Sequence, residues 1–372
     1  MGTPDPPVIE DRHDRWASTM DGFISAGPLR EAHLGSSATF ASEPLRSREE
    51  REEHERRDLV VGATLSTGAG DRARPEHPDF LRTCFERDRD RILHCSAFRR
   101  LAGKTQVFVF PRDHQRTRLT HALEVAQVAR SIATSLRLNV ALCEAIALGH
   151  DCGHGPGGHA SEDAFSPLLP GGFDHAVFGA DVALANLNLT AEVRDGIRNH
   201  SWSRPAPRTP EGEVVSWADR IAYVCHDFED ALHAGVVRAE DLPDAVRRRC
   251  GSRRGEQLGA FIDGLVDASA VEGRIGMPDD LADALSAFRS FNYDRVYSRP
   301  DAMAQSDAVV AVLRRVVEHL SGGSDDPEVV RQAVATTASM TDRYAFDLAT
   351  SEASFPPGKL PRGIDVEVSR ER

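Results

Sequence analysis

His150 and Asp151 are adjacent, and an imidazole nitrogen beside a carboxylate oxygen can address one cation or two neighbouring cations. Such a dipeptide arises often by chance, so it counts only in company. His121 opens a preceding amphipathic stretch, and Asp219 stands near the start of a later one. Mixed imidazole and carboxylate donors suit a divalent ion: Mn, Fe, Co, Ni, Zn or Mg. With open positions, that site polarises a phosphoryl oxygen and lowers the pKa of a bound water.

Other residues supply acid, base and anion-binding chemistry. Asp219, Tyr223, His226, Asp227 and Asp230 fall at i, i+4, i+7, i+8 and i+11, close to one helix face. The ordinary reading is a solvated acidic face; a Tyr and a His within the stripe favour a polar cleft. After the His-Asp pair comes Cys-Gly-His154-Gly-Pro-Gly-Gly-His159, whose glycines allow close backbone approach to a ligand. His159 and Glu162, at i and i+3, can meet on one helix face, the carboxylate orienting the imidazole. A flexible loop with incidental histidines is the bland alternative. Arg118 lies about one turn ahead of His121, where a guanidinium can hold phosphate oxygens bidentately.

Helices must position these groups. Residues 119–136 repeat Leu119, Leu123, Ala126, Ala129, Ile132, Ala133 and Leu136 in the i, i+3, i+4 rhythm. Residues 139–150 form a nearly apolar, buried helix, stopped by the glycine-rich run. Further helices are expected over 80–101, 173–188, 191–200 and 214–234, with three or four more between 280 and 353. Residues 201–213 read as a Pro-rich loop, and only Val107–Phe110 has strand character. The fold class is all-α. Residues 1–57 are expected to be a disordered or loosely attached arm, its closing charged run having a short helix as rival; 58–353 form the main domain, and 354–372 an irregular tail.

The chain has 372 residues, 40% hydrophobic and 28% charged, enough to bury a large core without disulfides. Its six cysteines include no C-x-x-C pair, which suits a reducing, cytoplasmic setting. No apolar run approaches the roughly 20 residues of a membrane helix. A net charge of −13 argues against dominant nucleic-acid binding, and any anionic substrate needs a metal or local cations to hold it.

The H…HD…D set of His121, His150, Asp151 and Asp219 resembles the signature of HD-domain metal-dependent phosphohydrolases. The blocks Arg87–Leu101, Lys104–Phe108, Arg116–Glu124, His150–His154, Glu211–Tyr223, Phe291–Tyr297 and Met340–Tyr344 narrow the resemblance to bacterial deoxyguanosine triphosphate triphosphohydrolase-like proteins. The resemblance implies a helical HD fold that hydrolyses deoxynucleoside triphosphates to deoxynucleoside and inorganic triphosphate. It makes His121, His150, Asp151 and Asp219 ligands of a divalent metal ion, Mn2+ or Mg2+ first. His159, Glu162 and His154 become catalytic groups, and Gln106, Tyr223 and Asp227 face the sugar. Arg116, Arg118 and His175 stand by the phosphates. It also implies a homo-oligomer, a hexamer in many relatives, with a nucleotide effector. The sequence departs from the family pattern in the loop after His154, in Phe173-Asp-His-Ala-Val-Phe178, and at Arg220, where the family commonly has glutamate. Two alternatives stand beside this reading: an HD-type phosphohydrolase for nucleoside mono- or diphosphates or a specialised nucleotide, and a non-catalytic nucleotide-binding regulator.

Overall fold

The computed structural model describes residues 37–363 continuously, with a few positions between 14 and 33. Residues 1–45 form a unit of their own, in which two-residue strands β1 (Phe23–Ile24) and β2 (Arg30–Glu31) pair antiparallel. Residues 46–372 form the second unit, and its regular structure is helical.

The charged run assigned to the arm folds as helix α1 (Arg48–Asp58) within the second unit. Ser47 caps it in a reciprocal box with Glu50. Its buried Arg48–Glu52 ion pair and two carboxylates turned toward the following loop tie it down: Gly68 N–H donates to Glu52, and Ser66 N–H to Glu55 at 2.7 Å. A charge run that looks solvated is here a set of backbone anchors. Next come α2 (Cys84–His94) and α3 (Ser96–Arg100), split at Cys95, whose sulfur accepts from Phe98 N–H, so 80–101 is not one helix.

The central pair is α4 (Arg118–Leu136) and α5 (Val140–Gly149). On α4 the buried stripe runs through Ala122, Val125, Ala126, Val128, Ala129, Ile132 and Ala133, whereas Leu123, expected in the core, is 48% exposed. Asn139 caps α5, and from Ala145 to His150 every residue is buried. Helix α6 (Ala160–Phe165) follows the glycine loop, then α7 (His175–Phe178), irregular turns to Leu187, and α8 (Ala191–Asn199). The long α9 (Pro210–His233) starts at a Thr209 cap with Pro210 in the first turn. Helices α10 (Asp244–Cys250) and α11 (Arg254–Glu272) fall where the sequence reading placed none. Helices α12 (Asp279–Asn292), α13 (Pro300–Leu320), α14 (Pro327–Ala338) and α15 (Asp342–Ser351) complete the described chain. Residues 107–110 form no strand; Phe108 and Val109 are buried in an irregular segment.

Two hydrophobic cores result. The larger joins α2, α4, α5, α8 and α9 to α10–α12. The smaller joins α6 to α13, α14 and α15 around Phe165, Val312, Leu313, Val316 and Phe346. Polar ties connect them. Asp342, at the start of α15, accepts from Thr105 N–H at 2.9 Å, the Thr105 hydroxyl at 2.6 Å and Gly157 N–H at 2.8 Å. Buried Lys104 donates to the carbonyls of His154 and Ala338, and burial pushes its ammonium down to about 8. Asp342→Ala leaves those buried donors without an acceptor, at about 1–3 kcal/mol for each group that water cannot reach. It is expected to lower Tm by several degrees in a thermal melt; an unchanged Tm would refute the tie.

Candidate active site

The ends of two helices set the imidazoles. His150 follows α5 and donates Nδ1–H to Ala147 O at 2.6 Å; His200 follows α8 and donates Nδ1–H to Ile197 O at 2.8 Å. A carbonyl only accepts, so each ring carries a proton on Nδ1 and turns Nε2 toward the site. His121 and Asp219, on facing turns of α4 and α9, meet at 3.0 Å through Nε2 and Oδ1. His150 Nε2 lies 3.4 Å from Asp151 Oδ1 and 3.7 Å from Asp219 Oδ1. It has no hydrogen-bond partner, although it is buried. A buried imidazole nitrogen without a hydrogen-bond partner, beside carboxylate oxygens, is a position that a metal cation would satisfy. His121, His150 and Asp219 offer ligand atoms within 4.8 Å of one another, and Asp151 groups with His150 and His200 on the same scale. The donors fit a divalent cation of the borderline class.

Electrostatics keep the carboxylates ionised. Burial opposes ionisation of Asp151, but His150, Arg118 and His154 outweigh it and hold the carboxyl well below its usual range. Asp219 is held low in the same way by His121 and His150. Arg118 lines the cavity, donates to Asp151 Oδ2 at 2.8 Å and keeps two buried guanidinium nitrogens without a partner.

Glu162 is shared by two histidines. Its Oε2 meets His159 Nδ1 at 3.1 Å, and its Oε1 meets His175 Nδ1 at 2.7 Å and His175 N–H at 3.1 Å. His159 is exposed, with 73% of its side chain in solvent, while His175 is buried and its Nε2 sits 3.3 Å from His200 Nε2. Against its burial, Glu162 raises the pKa of His175. His154 stacks on His175 at 3.7 Å, and burial with Arg118 nearby drives it well below the normal histidine range. Glycines make this crowding feasible. A Cβ at Gly153 would lie 1.9 Å from His175 O, and Gly157 and Gly158 have φ of +72° and +64°.

Most of these groups, though neither His150 nor Glu162, line a cavity of about 580 Å³, a fitting volume for a nucleotide. Gln106, Tyr223 and Asp227 are on its wall, as are Arg118, His121, Asp151, His154, His159, His175 and Asp219. Arg116 is not. Its guanidinium is taken up by Glu124, Glu229 and Asp230, so the arginine expected at the phosphates belongs to a buried ion-pair network. That network also claims Asp230 and borders His226, leaving Asp219, Tyr223 and Asp227 as the part of the α9 stripe that meets the cavity. Tyr297, unremarked in the sequence, donates its hydroxyl to Asp227. His200 was missed too, although it ends a helix as His150 does. Among the described residues no helix is long and apolar enough to cross a membrane.

A helical fold with this donor set defines an HD-type hydrolase, and the HD domain family model matches residues 118–224. A protein from Caldanaerobacter subterraneus subsp. tengcongensis is 42% identical to 81% of this chain and 94% of its own length. One from Clostridium perfringens is 40% identical, over 77% of this chain and 89% of its own, and one from Desulfatibacillum aliphaticivorans 38%, over 80% and 95%. Each is named a deoxyguanosinetriphosphate triphosphohydrolase-like protein. The chain belongs to this deoxyguanosinetriphosphate triphosphohydrolase-like family.

Asp227 gives a pH test. Burial pushes its carboxyl up to about 7, with the Tyr297 hydroxyl opposing. An acid whose folded pKa is raised binds its proton more tightly folded than unfolded. Its contribution is therefore most favourable below the ordinary value of about 4 and is lost as pH rises through the folded one. Asp227→Asn is expected to raise Tm relative to the unsubstituted protein, and by more at pH 8 than at pH 5. A pH-independent difference in calorimetric Tm would remove the assignment.

Proposed function

We propose that the protein hydrolyses deoxynucleoside triphosphates to deoxynucleoside and inorganic triphosphate. One observation carries the reading. The unpartnered Nε2 of His150 converges with His121, Asp151 and Asp219, and those last three line a cavity that also carries guanidinium groups and a tyrosine. His121, His150, Asp151 and Asp219 would hold a divalent cation, Mn2+ or Mg2+ first, whose chemistry there is charge neutralisation at a phosphoryl oxygen and acidification of a water.

The chain's own residues do the rest. Arg118 uses its free N–H groups to hold α-phosphate oxygens while its third keeps Asp151 in place. His175, its Nδ1–H bound to Glu162, is the buried imidazole best placed to hand a proton from Nε2 to the departing 5′-oxygen. The acid-base pair is then Glu162–His175, with exposed His159 as the outer partner of the same carboxylate. Neutral His154 packs against His175 and fixes its ring. Tyr223 and Gln106 face the sugar, and the bulk of Tyr223 disfavours a 2′-hydroxyl. Family membership supports the reaction class, through relatives named for a deoxyguanosine triphosphate.

Anion-exchange chromatography of reactions with Mn2+ and each dNTP and NTP separately tests the reading. Deoxynucleoside plus intact triphosphate is the expected outcome; stepwise orthophosphate release would overturn it. Asp151→Ala should lose bound metal, measured by inductively coupled plasma mass spectrometry, and lower turnover by at least about 1000-fold, the scale of removing a central electrostatic group. Wild-type activity in that variant would sink the proposed centre.

A further inference from the structure

The cavity holds a second cationic feature, away from Arg118. Arg220 follows Asp219 on α9 and lines the same cavity. Its guanidinium carbon stands 3.8 Å from the centroid of the Trp202 ring and 5.7 Å from that of Tyr223. The indole is itself held. Trp202 Nε1–H donates to Ser216 O at 3.1 Å, and Trp217 meets its ring edge-on at 4.7 Å. A guanidinium stacked on a fixed indole has its plane set, and its N–H edge remains available for in-plane bonding.

What that edge lacks is an anion. Among the described residues Arg220 forms no ion pair and no hydrogen bond to a carboxylate, in a chain of net charge −13 whose other buried arginines are tied to Asp or Glu. Arg289, from α12, lies on the same cavity wall and donates Nε–H to Tyr223 Oη at 3.1 Å. Arg289 lies near enough to act unfavourably on the charge of Arg220, as burial also does. The neighbouring Asp219 offsets part of this, but with no carboxylate paired to Arg220 two guanidinium groups on one cavity wall still favour a ligand that brings negative charge. A neutral base would leave that repulsion in place; a polyphosphate removes it.

We infer that Arg220, set on Trp202, is a phosphate-binding residue for the outer phosphates of the substrate and makes the site select for phosphate number. The inference rests on the nucleotide reading above and adds to it a residue that acts on the triphosphate tail. Trp202 is the positioning residue, since it seats the guanidinium of Arg220.

The test separates tail from nucleoside. Sodium tripolyphosphate and deoxyguanosine are titrated separately, with excess Mn2+, into the full chain and into Arg220→Gln, Arg220→Lys and Trp202→Leu. Arg220→Gln should weaken tripolyphosphate about tenfold, the equivalent of one charge-assisted hydrogen bond, and leave deoxyguanosine unchanged. Arg220→Lys should recover part of the loss, because it keeps the charge and lacks the planar stack. Trp202→Leu should fall between, and it serves if Arg220→Gln does not fold, as judged by thermal melt. Unchanged tripolyphosphate affinity, or an equal loss for deoxyguanosine, would overturn the inference. Because binding is read without turnover, a protein that fails to hydrolyse dNTPs overturns the reaction and leaves this subsite to be judged on its own titration.

Discussion

Buried negative charge is the constraint around which this site is built. Asp151 is kept ionised where it is buried and Asp219 where it is mostly buried, with His121 donating Nε2–H to Asp219 and His150 Nε2 close to both carboxylates. Only one fixed cation, Arg118, touches the pair directly. Such an arrangement persists only if the surrounding helices over-determine it. They do so by hydrogen-bonding the far nitrogen of His150 to a carbonyl of its own helix, and that of His200 likewise. The apolar stripe of α4 and the almost wholly buried α5 then hold those helix ends at fixed separation. Stability from the core is thus converted into directionality at the donors.

Much of this was legible in the sequence, for a local reason. A His-Asp pair at the stop of an apolar run, and glycines directly after it, announce a helix end where backbone must come close to something else. The helical class and most helix positions follow from the same periodicity. Partners distant in the chain were not legible. Asp342 contacts Gly157 across 185 positions, and Tyr297 reaches Asp227 across 70, with nothing in the local pattern to announce either. Leu123 shows how an apolar rhythm can be read a step out of phase, since the buried stripe passes beside it.

Arg116 and Arg118 make the same point with charge. They are two residues apart, and the sequence gives each an equal claim on an anion. Arg116 precedes α4 and its side chain turns to Glu124, Glu229 and Asp230; Arg118 is in the first turn and lines the cavity. Arg220 and Trp202 are the converse, a pair joined by the loop between α8 and α9, whose pairing depends on how that loop folds back.

The tie made by Asp342 has a consequence for how the molecule comes into being. A single carboxylate near the end of the chain fixes Thr105 and Gly157, the segments on either side of the cavity floor. During synthesis, α4, α5 and α9 leave the ribosome and can bury their apolar faces long before residue 342 is made. A nascent chain therefore carries the charged donors before it carries the loop geometry that encloses them. The site is finished by α15, and a chain cut short before it retains the residues of the larger core and lacks the anchored loop.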